Sequence, residues 1–163
     1  MKTLIASDIF GKTPALVALA EALPVQTEIL DPYEGKFMNF ASEADAYQYF
    51  TSQVTLTSYT ETLLQALQHK TDVQRLIGFS VGASAIWQLA DHPMPDKLQS
   101  AICFYGSQIR HATHLSPTFP IHLVMPKSEA HFSVEALVQK LAHKENVSIE
   151  HSQYLHGFMN RHS

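Results

Sequence analysis

The sequence predicts an α/β protein: a three-layer α/β/α sandwich built on a mostly parallel sheet of about six strands. Three observations carry this. Short apolar runs bounded by turn residues alternate with amphipathic runs of helical period, which is how a parallel sheet with covering helices is encoded. The 163 residues are 45% hydrophobic and 16% charged, enough apolar material for a core and too few charges for a disordered chain. No linker or low-complexity tract breaks the pattern, so the reading is one domain over residues 1–163.

The elements follow in order. KTLIAS, from Lys2, reads as a short buried strand. Residues 14–23 read as a helix, with Thr13 as N-cap and Pro14 at the first helical position, where its missing N–H costs nothing. Residues 25–31, VQTEILD, make a second strand stopped by Pro32. Ser42 caps a helix over 42–50, and a longer helix over 56–69 sets Leu56, Leu63, Leu64 and Leu67 on one side. VQRLIGF, 73–79, is a third strand running straight into the helix VGASAIWQLA. LQSAICFYG and IHLVMP are strands four and five, Ser133 caps a helix from SVEALVQKLAHKE, and NVSIEHSQY is strand six.

Charge and cysteine content exclude several classes. The net charge is −4 and the only arginines are Arg75, Arg110 and Arg161, so nothing resembles a nucleic-acid or membrane surface. Cys103, the single cysteine, cannot form an internal disulfide and reads as a small buried hydrophobe in an apolar strand. The ten histidines are scattered without ligand spacing, so no metal is expected. The start, MKTLIASD, meets a charge too early for a leader, and no run has transmembrane length, so the expected location is the cytoplasm.

In a parallel sheet, ligands sit beyond the carboxyl ends of the strands. After strand three stands Gly78-Phe79-Ser80-Val81-Gly82, a G-x-S-x-G pattern between a strand and a helix. That setting makes a sharp turn that lifts the serine hydroxyl clear of the sheet and aims helix N-terminal amides at it. An idle N-cap serine is the plain alternative. A serine nucleophile needs a base, and the base an orienting acid, in the chain order serine, acid, histidine for this architecture. Glu129 follows strand five and His156 follows strand six. Glu129 could equally be a solvated loop carboxylate. His131 and His162 compete as base, but His131 shares the acid's loop and could hardly bridge to Ser80, and His162 lies next to the terminus. Phe104 and Tyr105 close strand four beside this rim, as core aromatics or as a pocket wall.

These segments together resemble the dienelactone hydrolase family of α/β-hydrolases: SDIFG, LDPYEG, GFSVGAS, AICFYG, MPKSEAHF and LHGFMNR, spread over nearly the whole chain. The resemblance implies a minimal α/β-hydrolase fold, lacking the final helix and leading strands of larger members. It implies Ser80 as nucleophile, Glu129 as acid and His156 as base, with the amides of Ile9 and Val81 as the oxyanion hole. The family's nucleophile is a cysteine and its acid usually an aspartate, where this chain has Ser80 and Glu129. The family holds a substrate carboxylate with arginines, for which Arg161 is the candidate here.

One stretch admits a second reading. Residues 6–13, from Ala6 to Gly11-Lys12-Thr13, have the spacing of a phosphate-binding loop, with Asp31 as a conceivable Mg²⁺ ligand. Bulky Ile9 and Phe10 and anionic Asp8 argue against a polyphosphate there. The same residues suit an acyl pocket, with Phe10 and Ile9 as apolar walls and Asp8 close to the serine. The expectation is therefore a cofactor-free serine hydrolase of small esters, lactones or thioesters. A noncatalytic binding protein of the same fold is the alternative, and a nucleotide-binding protein a third. A second copy covering an open sheet edge would make a homodimer.

Overall fold

The computed structural model describes residues 1–160. Six strands, β1 (Lys2–Ala6), β2 (Gln26–Leu30), β3 (Arg75–Phe79), β4 (Ser100–Phe104), β5 (Ile121–Met125) and β6 (Val147–His151), form one sheet in the order β2-β1-β3-β4-β5-β6. Every neighbouring pair is parallel. Five helices connect them: α1 (Pro14–Ala22), α2 (Glu43–Tyr49), α3 (Leu56–His69), α4 (Val81–Gln88) and α5 (Val134–Leu141).

The caps read from the sequence are in place. Thr13, Ser42 and Ser133 each accept a backbone N–H from the first turn of their helix, those of Leu16, Asp45 and Ala136. The helix expected over 42–50 ends at Tyr49 and continues through Phe50–Val54 as a wider turn, where Thr55 N–H donates to the Phe50 carbonyl at 2.8 Å. Thr55, with φ 75°, then caps α3. Strands four and six are shorter than the runs suggested, each losing residues at both ends of its run.

Side chains of a strand alternate between faces. On one face Leu4, Ala6, Leu76, Ala101, Cys103, Ile121 and Leu123 pack with buried residues of α3, α4 and α5. On the other, Ile5, Ile29, Ile77 and Phe79 pack under Leu16, Leu19 and Ala20 of α1. Helices therefore cover both faces, and the three layers are those expected. Trp87 of α4 is fully buried and donates its indole N–H to the Ala112 carbonyl at 2.8 Å. Cys103 is buried as read, and burial pushes its thiol well above the ordinary range.

The order reverses at β1 and β3: the chain leaves β1 for β2 on one side and returns to β3 on the other. Such a switch point opens a crevice at the carboxyl ends of the two strands. Residues 7–13 and Ser80 leave the sheet there.

Candidate active site

At the end of β3 the chain turns from strand to helix within one residue. Ser80 sits at φ 53°, ψ −111°, a backbone region costly for a residue with a side chain, of order 1–3 kcal/mol. Two hydrogen bonds hold it: Ser80 N–H donates to the Phe104 carbonyl and Ser84 N–H to the Ser80 carbonyl, both at 2.9 Å. The flanking glycines are required by space. A Cβ on Gly78 would lie 2.6 Å from the Ala83 backbone, and one on Gly82 would lie 2.1 Å from the Ala6 carbonyl oxygen. Strand β1 and helix α4 can touch only because no side chain stands between them.

Ser80 Oγ lies 3.1 Å from His156 Nε2, and His156 Nδ1 lies 2.6 Å from Glu129 Oε1. The three residues come from the loops after β3, β6 and β5 and form one hydrogen-bonded chain. Glu129 is the more enclosed partner, its side chain 12% exposed against 27% for His156. The imidazole also packs on Tyr105, ring centroids 4.9 Å apart.

A cavity of about 440 Å³ opens on Ser80 and His156. Ile9, Phe10, Val81, Asp8 and Tyr105, all expected near the site, line it. Val81 is the first residue of α4, whose first-turn amides have no intrahelical acceptor. Tyr105 is 1% exposed and so serves as core and wall together, and burial pushes its phenol above the ordinary range. Phe104 does not reach the cavity; it stacks on Phe79 at 5.1 Å and meets Phe158 edge-on. Arg161, and the competing His162, lie outside the described residues. His131, which the sequence set aside because it shares the acid's loop, lines the same cavity as Ser80. The loop folds back across the rim far enough to bring both Glu129 and His131 of MPKSEAHF to the site.

Sequence reading missed the far wall, formed by Glu43, Ala44 and Tyr47 of α2 and by Ser107 and Gln108 after β4. Polar residues on a capped surface helix give no periodic signal of a pocket. It also missed Tyr33, whose hydroxyl donates to the Ile9 carbonyl at 2.5 Å and so holds the Ile9–Phe10 peptide. The LDPYEG motif contained that signal. Asp31 Oδ2 accepts from Tyr33 N–H and Oδ1 from Gly35 N–H, at 2.9 and 2.8 Å, which fixes the turn that presents the phenol. Asp31 is thus engaged in its own turn, and Lys12 Nζ lies over the Phe37 ring, 5.4 Å from its centroid. Phe10 N–H donates to Asp8 Oδ1 at 2.9 Å, so this amide serves the loop's own carboxylate. The amides of a phosphate loop would instead converge on a ligand.

Asp8 is held on both oxygens, with Asn160 Nδ2 donating to Oδ2 at 2.5 Å. Burial raises its carboxyl above the usual range, against the opposing pull of these two hydrogen bonds and of His156. Among the described residues no group of three or more His, Cys, Asp or Glu side chains could hold a metal ion, and no helix is long and apolar enough to cross a membrane.

This architecture, with a serine on a strained strand-to-helix turn at the switch point, is the α/β-hydrolase fold. Solved structures share it. A dienelactone hydrolase-like promiscuous phosphotriesterase from metagenomic libraries superposes with a TM-score of 0.61 at 14% identity, over 96% of this chain and 72% of that one. A hydrolase from Pseudomonas aeruginosa gives 0.61 at 10% identity, covering 95% and 82%. An N-formylmaleamic acid deformylase from Pseudomonas putida gives 0.59 at 12% identity, covering 92% and 83%. No family model matches the sequence. The chain belongs to the same family as YczH of Bacillus subtilis strain 168, an uncharacterized protein to which it is 30% identical over 165 aligned positions, 96% of this chain and 80% of that protein.

Proposed function

We propose that the protein is a serine hydrolase of the dienelactone hydrolase type, cleaving a small ester, lactone or thioester through an acyl-enzyme on Ser80. The observation that carries this reading is the hydrogen-bonded chain from Ser80 Oγ through His156 to Glu129. Three residues from three separate loops meet in the order acyl transfer needs.

His156 Nε2 takes the Ser80 proton as Oγ attacks the carbonyl carbon. Glu129 holds the imidazole with Nδ1 protonated and stabilises its charged form. The oxyanion faces the amides of Ile9 and Val81, each donor worth about 3 kcal/mol in the transition state. His156 then gives its proton to the leaving oxygen or sulfur. Water, deprotonated by the same imidazole, hydrolyses the acyl-enzyme and restores the serine. Asp8, Phe10 and Tyr105 bound the space for the acyl group, with Arg161 as a further candidate contact.

The test uses p-nitrophenyl acetate and a fluorophosphonate probe. The wild-type protein turns over the ester and is labelled once, on Ser80. Ser80→Ala does neither, with kcat reduced at least about a thousandfold. A wild-type protein inert to both reagents would favour a noncatalytic binding protein on this fold.

A further inference from the structure

We propose that Asp8 and Asn160 form a tie that sets the base of the site against the loop that supplies its oxyanion amide, making both positioning residues for the reaction. This rests on the reading of Ser80 and His156 as nucleophile and base.

His156 has no regular element of its own. It sits in residues 152–160, which leave β6 and cross back over the rim. Tyr154, Leu155 and Met159 of this segment are exposed. A backbone hydrogen bond from Lys127 N–H to the Tyr154 carbonyl, at 2.7 Å, holds the segment before the histidine. After the histidine, Phe158 packs on Tyr105 at 5.1 Å and Asn160 N–H donates to the Gly157 carbonyl at 2.7 Å, closing a turn. Asn160 Nδ2 then donates to Asp8 Oδ2 at 2.5 Å. The other oxygen of the same carboxylate accepts Phe10 N–H, one residue beyond Ile9. One side chain therefore spans the turn after the base and the loop of the proposed oxyanion donor. It also divides the site from a second cavity of about 530 Å³ along α1, since Asp8 and Tyr105 line both spaces and Asn160 lines only the second.

The consequence for catalysis is geometric. The base stands on a turn rather than on a helix or strand, and an imidazole displaced by about 1 Å can cost a hundredfold in rate. Asp8 offers two fixed acceptors at a largely enclosed point. An asparagine at position 8 could offer one acceptor and one donor, and an amide flip of Asn160 would then keep the tie. Losing the Asn160 side chain removes it.

The experiment compares wild type, Asp8→Asn, Asp8→Ala, Asn160→Ala and the exchanged pair Asp8→Asn with Asn160→Asp. Readouts are kcat and KM on p-nitrophenyl acetate, amide hydrogen exchange over residues 152–160, and the proton NMR signal of His156 Nδ1–H. In Asn160→Ala and Asp8→Ala, kcat is expected to fall about ten- to hundredfold with KM changing far less. Exchange should quicken in 152–160 alone, and the imidazole proton signal should broaden. Asp8→Asn and the exchanged pair should keep slow exchange over 152–160 and a sharp imidazole signal, and lose less kcat than Asn160→Ala, because each retains a hydrogen bond between the two positions. Wild-type kcat and exchange in Asn160→Ala would overturn the tie. So would loss of protection across the whole protein that the exchanged pair fails to restore, since that is a folding role only. If wild type itself hydrolyses nothing, the hydrolase reading fails, and exchange together with the imidazole signal still decides the tie.

Discussion

Asp8 is where single-residue physics is most exposed. Its carboxyl is raised by burial, so the folded protein holds a proton there more tightly than the unfolded chain does. Between the unfolded and folded pKa values the native state binds more protons, so stability falls as pH rises through that window and then levels off. Asp8→Asn removes this ionisation. The variant should gain stability relative to wild type as pH rises from about 4 to 7, the unfolded carboxyl titrating near 3.9. Thermal unfolding at both pH values measures the difference, and a constant difference would show that Asp8 carries no burial penalty. The sequence placed Asp8 near the serine but could not show what occupies its oxygens, because Asn160 is 152 positions away. Tyr33 was hidden for the same reason: a phenol in a turn declares its partner only when the chain is folded. Ser80, by contrast, was legible because its requirement is local.

At the scale of elements, the strand–turn–helix from Arg75 to Gln88 holds Ser80, the proposed nucleophile, and glycine is what lets it pack. Gly82→Ala places a methyl 2.1 Å from the Ala6 carbonyl oxygen, where backbone must move. It should cost about 3 kcal/mol or more, with Tm falling about 10 °C, or leave the protein insoluble. Gly35, at φ 79° with nothing within 4 Å of an added Cβ, is the control. Gly35→Ala should cost only about 1 kcal/mol of backbone strain. Equal losses at the two positions would mean that the contact between β1 and α4 is not tight. The G-x-S-x-G spacing announced this element because both glycines and the serine act within one turn. Helix α2 was found from its Ser42 cap, yet its role as pocket wall was not. Glu43 and Tyr47 become a wall only through the path of the connection that precedes them. The sequence ends the first helix at residue 50 and starts the next at 56, and the wide turn of Phe50–Val54 between them has no composition of its own.

Across the molecule, topology brings the site together. Alternating runs gave the strands, and the right-handed crossover rule makes them parallel, but neither fixes the order β2-β1-β3-β4-β5-β6. The structure puts the switch point between β1 and β3, whose following loops both carry site residues. The loops after β5 and β6 reach the same rim because parallel strands end on one side. That is why Ser80, Glu129 and His156 could be placed at one rim from sequence, where they share a hydrogen-bonded chain, while the cavity, an arrangement of five loops and a helix, could not be read. The central claim is that serine and histidine act as a unit. A double-mutant cycle on kcat for p-nitrophenyl acetate tests it most directly. Ser80→Ala, His156→Ala and the double variant should lose activity to nearly the same residual rate, because removing either partner disables both. Losses that multiply in the double variant, or a His156→Ala protein that keeps near-wild-type kcat, would contradict the account.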